Sequence, residues 1–308
     1  MARELARHPH AAIMKEEVVD ALITNKSGTY LDFTVGFGGH ADHIIQSLNS
    51  RGRLIGLDCD PDAFKYSLER FSDLKEKVKI INENYTNYEQ VLNREKVAEV
   101  DGVLMDLGIS SYQVDKSERG FSYQFDAPLD MRFDIKYKKK ASDILNTYSE
   151  GSISEMIKCN GEEKNHKKIA KSIVQYSKKG KMKTSFDLRR AIIDSSIYVK
   201  NINKVFSRVF QAVRIEVNDE FVNIEKVIKS VCARLKVGGR AVFITFHSLE
   251  DRLVKQLLLK LNQQSFNTEF GVKKIDLVRK KVIKPKRDEI LKNRRARSAK
   301  LRFICVKQ

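Results

Sequence analysis

The sequence predicts an α/β protein on a mostly parallel sheet, with a helical segment inserted into it. Three observations carry this. Short apolar runs alternate with helical patterns up to about residue 108, the alternation is lost between about 115 and 205, and a strand pattern returns at 241. Strands that alternate with helices are joined by crossovers, which makes them parallel.

Residues 29–35 read as the first strand, followed by Gly36-Phe37-Gly38-Gly39-His40 and a helix with Ile44, Ile45 and Leu48 on one side. Residues 53–57 form the second strand, ending at Asp58. Asp60-Pro61-Asp62 is a helix start, with Pro in the first turn. Residues 78–81 and 100–107 supply two further strands. Residues 109–140 are rich in polar and turn residues, and 141–200 read as short, lysine-rich helices. From Phe206 to Leu235 apolar residues recur at helical spacing, ending at Gly238-Gly239. Residues 241–246 resume the strand pattern, 249–261 form an amphipathic helix, and 301–306 close the chain as a strand. The expected organisation is 1–114 as the first part of the main domain, 115–204 as an inserted helical domain, and 205–308 as the second part with a basic end.

The chain has 308 residues, 42% of them hydrophobic, enough to bury real cores. No run approaches the roughly 18 apolar residues of a membrane span. The first residues mix charges and lack the apolar stretch of a secretory signal. Cys59, Cys159, Cys232 and Cys305 form no C-x-x-C pair, which argues against a zinc ribbon or a disulfide scaffold. A reducing, cytoplasmic setting is expected. A homodimer is compatible with the sequence.

The 58 basic and 40 acidic residues give a net charge of +18, distributed unevenly. Residues 1–116 carry a net −5 and residues 117–308 a net +23. Residues 273–302 hold 14 basic and 3 acidic residues, and Tyr137 sits within the basic run 136–140. Solvated helix faces explain an excess of lysine but not its asymmetry. A nucleic-acid partner explains both, because Lys and Arg release counterions from phosphates.

Gly36-x-Gly38-x-x-Ala41 after a strand fits the dinucleotide fingerprint, and Asp58 at the end of the second strand is placed to meet ribose hydroxyls. NAD and S-adenosylmethionine both satisfy this pattern. Asp32, four residues before the loop, and Asp106, at the end of the fourth strand, tilt it toward S-adenosylmethionine. A pocket lined by carboxylates suits a sulfonium and an amine better than a pyrophosphate.

A longer series of motifs follows in order: 32–40, Asp106-Leu-Gly-Ile-Ser-Ser111, Glu118-Arg-Gly-Phe-Ser122, Pro128-Leu-Asp-Met-Arg132, Asn160-Gly-Glu-Glu163, 210–218, Phe246-His-Ser-Leu-Glu-Asp-Arg252 and Arg297-Ser-Ala-Lys-Leu-Arg302. Through these the sequence resembles the small-subunit (16S) ribosomal RNA (cytosine-N4)-methyltransferases of the MraW/RsmH family, from about His10 to Arg302. The resemblance implies a class I S-adenosylmethionine-dependent methyltransferase with a Rossmann-like sheet and an inserted helical domain for substrate recognition. The implied target is the exocyclic N4 amine of a decoding-region cytidine, in free ribosomal RNA or an assembled small subunit. It places Gly38, Gly39, His40, Asp58, Tyr85, Asp106 and Gln113 at the cofactor. Tyr85 stands where the family usually has Phe. Val205-Phe-Ser-Arg208 replaces Pro-Ala-Thr-Arg, Val213 replaces Leu, Phe133 replaces Met, and the motif at 10–16 is loose.

Methyl transfer from a sulfonium requires neither an enzyme nucleophile nor a metal; positioning and electrostatics suffice. The cytosine amine is a poor nucleophile, so an acceptor for its proton assists. Asp106 and His247 are both candidates for that base, with a helix-cap role equally open for His247. Ser207, Gln211, Arg214 and Asn218 share one helical stripe and are RNA-side candidates, or else a polar seam within the fold. Asp130 and Arg132 are further candidates, or an internal ion pair. Arg294, Arg295 and Arg297 are expected at the RNA backbone. The alternatives are a methyltransferase acting on another RNA or DNA amine, an NAD-dependent oxidoreductase, and a non-catalytic RNA-binding ribosome-assembly module.

Overall fold

Strands β1 (Thr29–Asp32), β2 (Arg53–Leu57), β3 (Val78–Ile81), β4 (Val100–Asp106) and β5 (Leu235–Thr245) pair in parallel. β6 (Ser265–Thr268), β7 (Gly271–Asp276) and β8 (Lys300–Lys307) extend the sheet antiparallel beyond β5, in the order β3-β2-β1-β4-β5-β8-β7-β6. This computed structural model describes residues 12–110, 113–114, 117–137, 139–277 and 281–308. His10, Ser111 and Lys138 of the sequence motifs lie outside the described residues. Among those described, no helix is long and apolar enough to cross a membrane.

The chain divides into two compact units. One holds the chain up to Gly108 and again from Phe221, and the other holds Ile109–Glu220. The first contains the sheet. Strand β4 is buried along nearly its whole length, which is why it reads as an unbroken apolar run. One sheet face packs Leu31, Leu57, Val103 and Phe243 against Ile224, Ile228, Val254 and Leu258. The other packs Tyr30, Leu54, Leu104 and Val242 against Val18, Ile44 and Ile45. The reversal of strand order at β1 and β4 opens a crevice at their carboxyl ends, where open α/β sheets bind ligands.

The second unit is helical: Ala141–Thr147, Glu150–Gly161, His166–Lys178, Ser185–Ile193 and Ile202–Asn218 surround one core that includes Ile153, Ile169, Leu188, Phe206, Val209 and Val213. The boundary expected at 204/205 therefore moves to 220/221. The continuous helical pattern from 206 to 235 is two helices, Ile202–Asn218 and Glu220–Val231. Asp219 separates them with a left-handed backbone, φ 49°. Periodicity does not register such a break, because apolar spacing continues across it while the two faces enter different cores.

Other departures are local. The first strand ends at Asp32 rather than at 35, because the Asp32 carboxylate accepts the Thr34 N–H at 3.1 Å and turns the chain. The β6–β7 hairpin is too short and too polar to have been read as strands.

Candidate active site

Five turns at the carboxyl ends of β1, β2, β3, β4 and β5 build the site in the first unit. After β1 the chain runs through Gly36 (φ 54°) and Gly38 (φ 81°) into the helix Gly39–Ser47. Gly38 is required there. Its left-handed backbone strains an L side chain, and a Cβ would meet the Phe71 ring at 2.8 Å.

Asp58, after β2, holds this turn from below. Its Oδ2 accepts the Gly36 N–H at 2.7 Å and its Oδ1 accepts the Asp60 N–H at 2.8 Å. Asp60 in turn caps the helix Pro61–Arg70 through the Asp62 N–H. Tyr85 opens a short turn after β3, its ring centroid 6.1 Å from that of Phe33.

Asp32 is fully buried, and its Oδ2 has no hydrogen-bond partner. Burial pushes its carboxyl up to about 7, against the opposing pull of His40 and the Thr34 N–H. Asp106 is similar. Its N–H donates to Thr34 Oγ1 at 2.8 Å, and its buried Oδ1 is unpartnered. Burial first, and the nearby Glu250 carboxylate second, push Asp106 up to about 8.

His40 links the two acids. Its Nε2 donates to the Ile13 carbonyl at 2.9 Å, which fixes the neutral tautomer and leaves the Nδ1 lone pair facing Asp106 Oδ2 at 3.4 Å. Burial lowers the His40 pKa. A neutral imidazole beside a carboxyl that favours its protonated form is therefore the resting arrangement.

His247 is a helix cap. Its Nδ1 accepts the Glu250 N–H at 3.3 Å, while Glu250 Oε2 accepts the N–H groups of Phe246 at 2.8 Å and of His247 at 3.3 Å. The remaining nitrogen, Nε2, lies 2.9 Å from Glu250 Oε1. Nδ1 is engaged by the cap, while Nε2 makes no hydrogen bond despite its closeness to Glu250, so His247 and Asp106 each keep one buried polar atom unbonded.

The structure thus brings Gly38, Gly39, His40, Asp58, Tyr85 and Asp106 to neighbouring turns of one unit. Gln113 belongs to the other unit, where its Oε1 accepts the Ser110 N–H at 3.1 Å and its own N–H donates to Ser110 Oγ at 3.2 Å. The glycine turn, Asp58, Asp32 and Asp106 were legible as a set. Thr34 and Glu250 were not singled out. Glu250 stands three residues after His247, the capping-box spacing, and that was the available signal.

The RNA-side candidates in the helical unit are engaged internally. Gln211 Nε2 donates to the Asn160 carbonyl at 3.0 Å, and Arg214 forks onto Glu220 at 2.8 and 3.0 Å. Asn218 accepts the Phe133 N–H at 2.7 Å and donates to the Met131 carbonyl at 2.8 Å. Ser207 donates to the Asn203 carbonyl. Arg132 forks onto Asp130 and also donates to the Ile135 and Tyr137 carbonyls, ordering that loop. A polar stripe beside an apolar face lies at the margin of a core, where loop backbone needs partners. That is the physical reason these motifs read as a seam. Arg294, Arg295 and Arg297, by contrast, are exposed on a turn anchored by buried Ala296 and Ala299.

Comparison with known proteins gives the family of the chain. A family model described as the MraW methylase family matches residues 7–307. A ribosomal RNA small subunit methyltransferase H from Fusobacterium nucleatum is 40% identical over 303 residues, covering 96% of each chain. A protein of the same name from Clostridium botulinum is 39% identical over 307 residues, covering 97% of this chain and 98% of its own length. Among solved structures, an rRNA methylase from Streptococcus thermophilus matches with a TM-score of 0.44 and 11% identity, over 96% of this chain and 94% of that one. With the family model spanning nearly its whole length and close relatives aligned end to end, the chain belongs to the MraW methylase family.

Proposed function

We propose that this chain methylates the exocyclic N4 amine of a decoding-region cytidine in small-subunit ribosomal RNA, in the cytoplasm, with S-adenosylmethionine as donor. The observation that carries the cofactor assignment is the pair of buried, unpartnered carboxylate oxygens, Asp32 Oδ2 and Asp106 Oδ1. Buried polar atoms without partners are costly, and here they flank a glycine turn open to a ligand backbone. A cationic group completes both; a pyrophosphate would be repelled by them. The substrate rests on the family and on relatives named for small-subunit ribosomal RNA.

When bound, the cofactor supplies an electrophilic methyl group on a sulfonium. Asp32 would meet its amine end and Asp58 its ribose hydroxyls. Gly38 and Gly39 would give the close backbone approach, and the Tyr85 ring would stack on its base. Gln113, from the other unit, is assigned to the same ligand by family resemblance alone. Asp106 accepts a hydrogen bond from the cytidine amine, which returns electron density to nitrogen. As the amine nitrogen takes the methyl group from the donor's sulfur, Asp106, beside the His40 Nδ1 lone pair, would receive the amine proton. We assign Arg294, Arg295 and Arg297 to the phosphate backbone. Asp130, Arg132, Gln211, Arg214 and Asn218 hold the helical unit in shape.

The test incubates purified protein with methyl-labelled S-adenosylmethionine and small subunits from cells lacking this gene. The digested RNA should carry label in N4-methylated cytidine. Label in another nucleoside would replace the substrate, and tight cofactor binding without label would point to a different nucleic acid.

A further inference from the structure

The helical unit carries a surface that the seam of internal contacts leaves free. Residues 164–183 contain eight lysines and no acidic residue. Lys167, Lys168 and Lys171 are spaced three and four apart on one side of the helix His166–Lys178, Lys164 stands two residues before it, and all four are exposed. Ile169, Ala170 and Ile173 take the opposite, buried side. The first turn of this helix holds Lys167 and Lys168 and no acid, which sets positive charge against the positive end of the helix dipole.

Beside this stripe stands an aromatic side chain in full solvent. Tyr198 is 99% exposed, in the segment that follows the helix Ser185–Ile193, and it is flanked by exposed Ile193 and Val199. Lys168 Nζ donates to the Ser196 carbonyl at 3.4 Å, and Ser172 Oγ donates to the Ala191 carbonyl at 2.6 Å. These bonds tie the segment to the lysine-bearing helix. Tyr176 and Asp194 are bonded to each other, so the nearby carboxylate is already engaged.

An exposed ring next to a track of cations is the chemistry that holds single-stranded nucleic acid. The ring stacks on a base while the ammonium groups follow the phosphates. We propose that Tyr198 and the Lys164–Lys171 stripe form a docking site for single-stranded RNA, separate from the acid-lined pocket. The inference rests on RNA being the substrate and adds where part of that RNA outside the target nucleotide is held. Tyr198 supplies stacking without regard to base identity, and the lysines supply salt-dependent affinity.

The chain contains no tryptophan, so Tyr198→Trp creates a single fluorescent reporter. Its emission should be quenched by a mixed-sequence single-stranded RNA of about twelve nucleotides, a length within single-strand site sizes. Inorganic polyphosphate should bind through the lysines and leave the emission unchanged. Tyr198→Ala should weaken binding of that RNA by on the order of tenfold, and Tyr198→Phe should restore it. Lys167→Gln with Lys171→Gln should flatten the dependence of log affinity on log salt by about 1.4, two contacts at roughly 0.7 each. Emission that ignores RNA while RNA binds overturns the proposal, as does emission that changes with protein concentration alone, which would give the patch to a second copy of the chain. The methyl-transfer assay separates the two readings. Transfer without quenching sinks only the docking site, and quenching without transfer sinks only the proposed reaction.

Discussion

Asp32→Asn tests the electrostatics of the pocket most directly. The substitution keeps the shape and the acceptor for the Thr34 N–H, and it removes a charge that has no partner. The buried carboxyl titrates near 7, against an ordinary value of 3.8. Because the folded value is raised, Asp32 costs nothing while protonated in both states. Stability is lost as pH climbs from about 4 through 7, where the unfolded chain ionises first. Between pH 5 and pH 8 that loss amounts to about 3 kcal/mol, from the 1.36 kcal/mol carried by each pH unit of displacement. Other groups titrate in the window, so the informative quantity is the difference between variant and wild type. His40 is lowered, so its contribution is lost as pH falls; the Asp32 charge raises it, so the variant deepens that loss at low pH and adds to the variant's relative gain as pH rises. For a sheet unit of about 200 residues, about 3 kcal/mol corresponds to roughly 6–12 °C in Tm. Thermal melts of the ligand-free protein should show the Asn variant gaining on wild type by this amount as pH rises from 5 to 8. S-adenosylmethionine should stabilise wild type more at pH 8 than at pH 6, and should stabilise the variant far less. Parallel Tm curves for the two proteins across this range would refute the assignment of Asp32 as an uncompensated acid.

Three other outcomes follow from the same geometry. Asp106→Asn should lower kcat by about 10²- to 10⁴-fold in labelled methyl transfer and also raise the cofactor KM; a variant of unchanged kcat would remove Asp106 from the proton path. His247→Ala should cost about 0.5–2 kcal/mol of stability through the lost cap, and the pH profile of kcat should keep its shape; loss of one limb of that profile would make His247 the base. Gly38→Ala forces a Cβ to within 2.8 Å of the Phe71 ring at φ 81°, and should destabilise by about 1–3 kcal/mol with weaker cofactor binding in equilibrium dialysis. Gly151→Ala, exposed in the first turn of the helix Glu150–Gly161, is the control that should be neutral or stabilising.

What was legible in the sequence depended on whether the signal was local. The glycine turn and Asp58 sit at strand ends, where the βαβ pattern itself fixes their place. The four parallel strands of the first segment appear within a residue or a few of their expected limits, because each is an apolar run bounded by turn residues. The burial of Asp32 was not legible, since a carboxylate at a strand end looks the same whether or not it faces water. Nor was the role of His247, which depends on the rotamer that turns both nitrogens toward Glu250. The Gln211–Asn218 stripe was read correctly as a stripe, but spacing alone does not say whether its partner is RNA or the Met131–Phe133 loop. Asp219 shows the same limit for the backbone: one left-handed residue assigned two helices to two different cores.

The two raised acids also bear on the order of events at the site. A protonated Asp106 is a poor acceptor for the cytidine amine, and in the ligand-free protein burial and Glu250 favour that protonated form near neutral pH. A positive charge placed beside Asp32 and Asp106 reverses the preference, because an opposite charge stabilises each carboxylate. Under the proposed mechanism, occupation of the pocket by the cationic donor would create the base that the reaction uses, and departure of the neutral product would remove it. Proton release should accompany binding. Calorimetry of S-adenosylmethionine binding in two buffers of different ionisation enthalpy should show heats that differ by the protons released, at pH 7 more than at pH 9. S-adenosylhomocysteine, which has lost the sulfonium charge, should release fewer. Equal heats in both buffers at pH 7 would mean that Asp32 and Asp106 are already ionised in the empty pocket, and the acceptor would then be present before the donor arrives.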